Sequence, residues 1–109
     1  MLFRSEVCDI AALAAIAHQA SALLVVDNCF ATPVLQRPLA LGADLVVHSG
    51  TKFLDGQGRV MAGAVCGSSE LIGQLSPVAR AAGLTLSPFN AWVVHKGLET
   101  LSQIGRAHV

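Results

Sequence analysis

The chain has 109 residues, 53% hydrophobic and 13% charged, with a formal net charge of zero. Its Lys and Arg residues are scattered, which excludes a basic surface for nucleic acid or an acidic membrane. The length allows one domain or part of one, and a small domain needs polar residues to cover its surface, so the apolar excess predicts a piece of a larger fold.

Residues 1–5 match nothing around them and lack a secretory pattern. Asp9 reads as an N-cap, with Ile10, Leu13, Ile16, Ala17 and Ala20 at helical spacing after it. The opposite face of this helix is mostly alanine, which predicts cover on more than one side. Ala22 to Val26 reads as a strand ending in Asp27. Helix then strand is half of a βαβ unit, so a parallel neighbour strand is expected upstream, before the chain begins. The apolar window from Ile10 to Val26 is interrupted by His18, Gln19 and Ser21. It is also shorter than the roughly 20 residues a membrane span needs, so no membrane association is expected.

Residues 28–41 form a connection in which Pro33 starts a short helical turn. Leu41-Gly42 leads into a buried strand, Leu45 to Val47. Asp55-Gly56-Gln57-Gly58 is a turn cluster. Val60 to Cys66 is a third strand, where Gly63 predicts close approach of another backbone or a ligand. Ser68 and Ser69 cap a helix from Glu70 to about Ala81. After a loop, Ser87-Pro88 starts a last helix carrying Phe89, Trp92, Val93, Leu98 and Leu101. Ile104 to Val109 breaks that pattern and reads as a translated sequencing adapter, so 104–109 is expected to be an artefactual tail without function. Cys8, Cys29 and Cys66 are widely spaced, with no Cys-x-x-Cys pair. They are expected to be buried free thiols in a cytoplasmic protein, not metal ligands.

Chemistry concentrates at two strand ends. Ser49-Gly50-Thr51-Lys52 closes one strand with hydroxyls beside a lysine, and Asp27 closes the other. In open α/β sheets ligands bind at the carboxyl ends of strands. A lysine, a hydroxyl cluster of phosphate size and a carboxylate suit pyridoxal 5'-phosphate (PLP): Schiff base, phosphate cup and pyridinium partner in turn. A Schiff-base amine must be neutral when it reacts, which predicts a partly buried Lys52. Each residue also has a plainer reading, since a strand-end lysine is commonly solvated and Asp27, Ser49 and Thr51 suit turns. His48 alternates with Ser49 and is expected to be packed rather than catalytic, while His18 and His95 are expected to be partly exposed. Asp55 and Arg59 are expected to be structural.

Val26-Asp27-Asn28 followed by Ser49-Gly50-Thr51-Lys52 resembles the Cys/Met-metabolism, or trans-sulfuration, branch of PLP enzymes. Asn28-Cys29-Phe30, Gln36-Arg37-Pro38-Leu39 and residues 52–59 are most similar to its members that act on O-succinylhomoserine with sulfide. The resemblance runs over residues 6–103. It implies an α/β fold that is part of the large PLP-binding domain of the aspartate-aminotransferase-like (fold type I) enzymes. It also implies Lys52 as catalytic residue and Asp27, Ser49, Thr51 and Lys52 as the cofactor-binding set. An amino-acid substrate, homocysteine as product and a homotetrameric intact enzyme are further implications. The family usually has alanine at position 50; glycine there removes no donor. The chain lacks tyrosine and matches neither the family's ring-stacking aromatic nor its carboxylate-binding arginine, so alone it is expected to be inactive. Cystathionine γ-synthase or γ-lyase chemistry, or a non-enzymatic remnant, are the alternatives. A nucleotide-binding module fits less well, because no Gly-x-Gly-x-x-Gly follows a strand.

Overall fold

The computed structural model describes residues 7–107, with side chains described to residue 104. Helix α1 (Ile10–Gln19) begins as expected: Asp9 is non-helical and its Oδ1 accepts the Ala12 N–H at 3.0 Å. Ile10 and Ala14 are its buried residues, so among the described residues the helix is covered on one side rather than several. Strand β1 is Val25–Asp27, shorter than the pattern predicts. The segment before it turns through Ser21 at φ 53°, and the Leu24 carbonyl accepts from both Asp44 and Leu45 N–H groups. Asp44 Oδ2 in turn accepts the Leu24 N–H at 2.7 Å and contacts His18 Nε2 at 2.9 Å, pinning the end of α1 to the sheet.

Pro33 does start a turn, α2 (Thr32–Leu35), followed by a 3-10 turn over Pro38–Leu41. Gly42 reverses the chain at φ 102°, where its missing side chain also leaves room for Ala14. Strand β2 spans Leu45–Ser49, two residues beyond the apolar run, and pairs in parallel with β1. Strand β3 is Gly63–Gly67, antiparallel to β2, so the sheet order is β1-β2-β3. Residues 60–62 are not strand, and Ala62 is committed to hydrogen bonds with Gly50 and Thr51.

Gly63 is not the crowded glycine, since a Cβ there would meet only the His48 carbonyl at an ordinary 3.7 Å. Crowding falls at Gly50, Gly56, Gly67 and Gly97 instead. One sheet face packs Val26 and Val46 against Ile10, Leu24 and Ala43, which is the core. Helix α3 (Ser69–Ala81) is capped by Ser68, and α4 (Pro88–Leu98) by Ser87. The last helix does not run through Leu101. It stops at Leu98 with Glu99 as its cap residue, the Thr100 hydroxyl bonds back to the Gly97 carbonyl, and α5 (Leu101–Ala107) follows.

Cys8 and Cys66 are exposed, correcting the expectation of buried thiols; only Cys29 is partly buried. Among the described residues there is no cluster of metal-ligating side chains and no helix long and apolar enough to cross a membrane.

Candidate active site

Parallel pairing brings the carboxyl ends of β1 and β2 to one edge, with Asp27 beside Val47. Side chains alternate across a strand. Asp27, Val47 and Ser49 therefore share one face, and Val26, Val46 and His48 share the other. Lys52 lies three residues past Ser49, in a single wide turn over Gly50–Leu54 that breaks at the lysine itself (φ −88°, ψ −124°). Lys52 is exposed, which corrects the expectation of partial burial. Its amine has no hydrogen bond or ion pair among the described residues, and its charge acts on the Cys29 thiol.

Cys29 is the group these residues share. Its backbone N–H donates to Asp27 Oδ1 at 2.9 Å, and its Sγ lies 3.9 Å from the Val47 carbonyl. The Cys29 thiol and N–H hold the Asp27 carboxyl below its usual range, with a smaller pull from His48. The same hydrogen bond, with burial and the Asp27 charge, pushes the Cys29 thiol up; the Ser49 backbone and Lys52 oppose this. Asp27 is thus an ionised carboxylate at neutral pH, exposed on the sheet face.

Thr51 is more occupied than the sequence suggested. Its hydroxyl accepts the Ala62 N–H at 3.0 Å and lies 3.4 Å from the Ala62 carbonyl. That second contact is too long to hold the hydroxyl proton firmly, so the proton remains available to an acceptor. Gly50 donates to the same Ala62 carbonyl at 2.8 Å, and a Cβ at Gly50 would stand 2.6 Å from the Ala62 Cβ. Glycine at this position therefore has a local cause: it lets the Ala62 strap close over the hydroxyl loop.

The loop after Lys52 is anchored by a buried carboxylate. Asp55 is fully buried and accepts from the Arg59 N–H, Nε and Nη2 at 2.7, 2.9 and 2.7 Å. Arg59 also reaches the Val93 carbonyl at 3.5 Å, and Gly97 of α4 lies against Leu54 and Asp55. Both residues are structural, as expected. His48 is buried, also as expected, with its Nδ1 unpartnered among the described residues. His95 and His18 are both exposed, His18 while contacting Asp44.

Sequence reasoning used Asn28 and Gln36 only as marks of resemblance. In the structure they form a reciprocal pair: Asn28 Nδ2 donates to the Gln36 carbonyl at 3.0 Å, and Gln36 Nε2 donates to Asn28 Oδ1 at 2.9 Å. No local pattern signals this contact, because it spans eight residues of irregular chain. The fit to PLP rests on uncommitted groups. Asp27 engages only Cys29, and the Lys52 amine and Ser49 hydroxyl make no side-chain hydrogen bond among the described residues.

Residues 3–108 match the profile of a family described as Cys/Met metabolism PLP-dependent enzyme. The chain is 60% identical over 104 residues to O-succinylhomoserine sulfhydrylase of Pseudomonas aeruginosa, covering 95% of this chain and 26% of that protein. It is 41% identical to cystathionine gamma-synthase of Haemophilus influenzae, covering 94% and 28%. The crystal structure of cystathionine gamma synthase from Xanthomonas oryzae pv. oryzae in complex with aminoacrylate and cysteine superposes with a TM-score of 0.87 at 45% identity. That match covers 90% of this chain and 26% of that one. The chain therefore spans about a quarter of the length of the relatives it matches.

Proposed function

This chain belongs to the Cys/Met metabolism family of PLP-dependent enzymes, and from that membership we propose that it carries the cofactor-binding part of a γ-replacement enzyme. Its α/β fold is that of the fold type I PLP-dependent enzymes. The proposed reaction of the longer protein is O-succinylhomoserine plus sulfide to homocysteine plus succinate. The Cγ–O bond breaks, a Cγ–S bond forms, and succinate takes the bonding pair. PLP, when bound, supplies an electron sink for the substrate carbon skeleton.

The chain's own residues supply the rest. Lys52 would hold the cofactor through Nζ, and its amine when free would take the substrate Cα proton and return it during the chemistry at Cγ. Asp27 keeps the ring nitrogen protonated, a role that its depressed carboxyl suits. Ser49 and Thr51 donate hydroxyls to the phosphate. The observation that carries this reading is the shared sheet face of Asp27 and Ser49 at the strands' carboxyl ends, with Lys52 just beyond. The choice of O-succinylhomoserine and sulfide rests on 60% identity to the sulfhydrylase, against 41% to the cystathionine synthase.

Borohydride reduction of the chain with PLP should attach the cofactor to Lys52. Label on Lys96, the other lysine, or unchanged labelling in Lys52→Ala, would overturn the assignment. With the intact protein, sulfide rather than cysteine should be the faster nucleophile; the reverse would favour the cystathionine synthase reaction.

A further inference from the structure

We propose that Asn28 and Gln36 are positioning residues for Asp27: their reciprocal amide pair locks the loop that holds the carboxylate at the sheet end beside the Lys52 segment. The inference deepens the functional reading above and rests on it for the role of Asp27.

Asn28 follows Asp27 directly and is only 2% exposed. All its polar groups are used. Its N–H continues the ladder to the Val47 carbonyl at 2.9 Å, its carbonyl accepts the Thr32 N–H at 3.1 Å, and its amide meets Gln36 twice. A buried amide with every partner present is rigid, because losing any one strands a desolvated group. The pair closes residues 28–36 into a loop whose first turn places the Cys29 N–H on Asp27.

Two further features tie this loop to the site. Phe30 meets Phe53, the residue after Lys52, edge to face with ring centroids 6.2 Å apart. The loop thus bridges the Asp27 and Lys52 segments. Thr32 is buried at φ 60°, a conformation that a β-branched residue adopts only when its surroundings impose it. Its backbone is tied to the same two residues: the Thr32 N–H donates to the Asn28 carbonyl and the Thr32 carbonyl accepts the Gln36 N–H, both at 3.1 Å. Strain of this kind, paid to hold one loop shape, concentrates where a side chain must be aimed.

Cys29 reports on Asp27, since their contact suppresses the thiolate. The experiment is iodoacetamide labelling of the dilute full chain across pH, read peptide by peptide, with the exposed Cys8 and Cys66 as internal references. In the wild type Cys29 should label more slowly than either. Asp27→Asn should speed it roughly threefold or more and lower the midpoint of its pH profile. Gln36→Met keeps the side chain's length and removes one hydrogen bond; it should move Cys29 the same way and leave Cys8 and Cys66 unchanged. Asn28→Ala should do so more strongly. The double variant Asp27→Asn/Gln36→Met should label no faster than Asp27→Asn alone, because the clamp acts through Asp27.

A Gln36→Met chain with wild-type Cys29 labelling, or effects that simply add, would overturn the proposal. If Asn28→Ala unfolds, all three cysteines change together and Gln36→Met decides. Borohydride trapping is read in the same samples. A saturating cycle without PLP on Lys52 would sink the function and keep the clamp; PLP on Lys52 with additive effects would sink the clamp alone.

Discussion

Asp27 and Asp55 are both strand- or turn-end carboxylates, and their surroundings assign them opposite work. Asp27 is exposed on the sheet face and shares its hydrogen bonds with Cys29 alone, which leaves it open to a ligand. In the intact protein, Asp27→Asn should leave cofactor attachment largely unaltered but slow Cα deprotonation by orders of magnitude, measured as exchange of the Cα proton with deuterated solvent. Wild-type exchange would reduce Asp27 to a turn residue. Asp55 is closed off. Burial by itself would raise its carboxyl, but the Arg59 N–H, guanidinium and charge outweigh that and hold it below the usual range. A depressed folded value means the stabilisation is present above the unfolded value of about 3.9 and is lost as pH falls through the lower folded one. Arg59→Ala should destabilise the fold by roughly 2 kcal/mol at pH 7, since it leaves a buried carboxylate short of donors while water reaches the arginine's site. That difference should shrink below about pH 4 in urea titrations, as the unfolded carboxyl protonates. The sequence already separated the two, giving Asp27 to a cofactor and Asp55 to the loop; the burial of Asp55 agrees with the second, and the exposure of Asp27 leaves it open to a ligand.

At the scale of elements, the signals that held were local and chemical. Asp9, Ser68 and Ser87 each cap a helix through a side-chain oxygen, as their spacing predicts. The errors were at boundaries set by distant partners. Residues 60–62 have strand composition, yet Ala62 serves the hydroxyl loop instead. The last helix breaks at Thr100, whose hydroxyl takes the Gly97 carbonyl, a contact that apolar spacing cannot reveal. Gly97 itself tests how α4 holds the lysine loop. Alanine is the better helix former by about 1 kcal/mol. Yet a Cβ at Gly97 would stand 2.5 Å from the Leu54 carbonyl oxygen and 2.6 Å from that of Asp55. Overpacking against backbone costs about 1–3 kcal/mol, so the clash should win. Gly97→Ala should lower the thermal midpoint and weaken cofactor attachment at Lys52. An unchanged or raised midpoint would mean that α4 does not bear on the loop.

For the whole molecule, composition and structure agree on uncovered surface. Leu23, Val25, Met61, Val65, Phe89 and Trp92 are all exposed, and Val25 and Val65 lie on the same sheet face as Asp27. Exposed apolar surface of this extent drives association. The chain alone should therefore run as oligomers or aggregate in light scattering, and should make no homocysteine from O-succinylhomoserine, sulfide and PLP. The second expectation follows from the proposed site: Lys52, Asp27, Ser49 and Thr51 would attach the cofactor, but the resemblance offers no residue of this chain to stack the ring or orient the substrate carboxylate. A monomer with turnover like that of an intact relative would show both judgements to be wrong. Residues 1–5 lie outside the described residues. Residues 104–107 continue α5, and Ile104 packs against Gly56, so the proposal of an artefactual tail rests on its sequence alone.

The family, the α/β class and the placing of Asp27 and Ser49 at strand carboxyl ends, with Thr51 and Lys52 just beyond, were determined by the sequence itself. The α/β class and those strand ends depend on short-range patterns, because apolar runs, caps and turn residues act within a few positions; the family was recognised from longer motifs. Tertiary structure alone decided the exposure of Lys52, the occupation of the Thr51 hydroxyl by Ala62, the Asn28–Gln36 clamp and the burial of Asp55. These contacts join residues through irregular chain or across strands. No period or propensity relates such partners, and the competition among hydrogen bonds that selects them is resolved only when the loops close on the sheet.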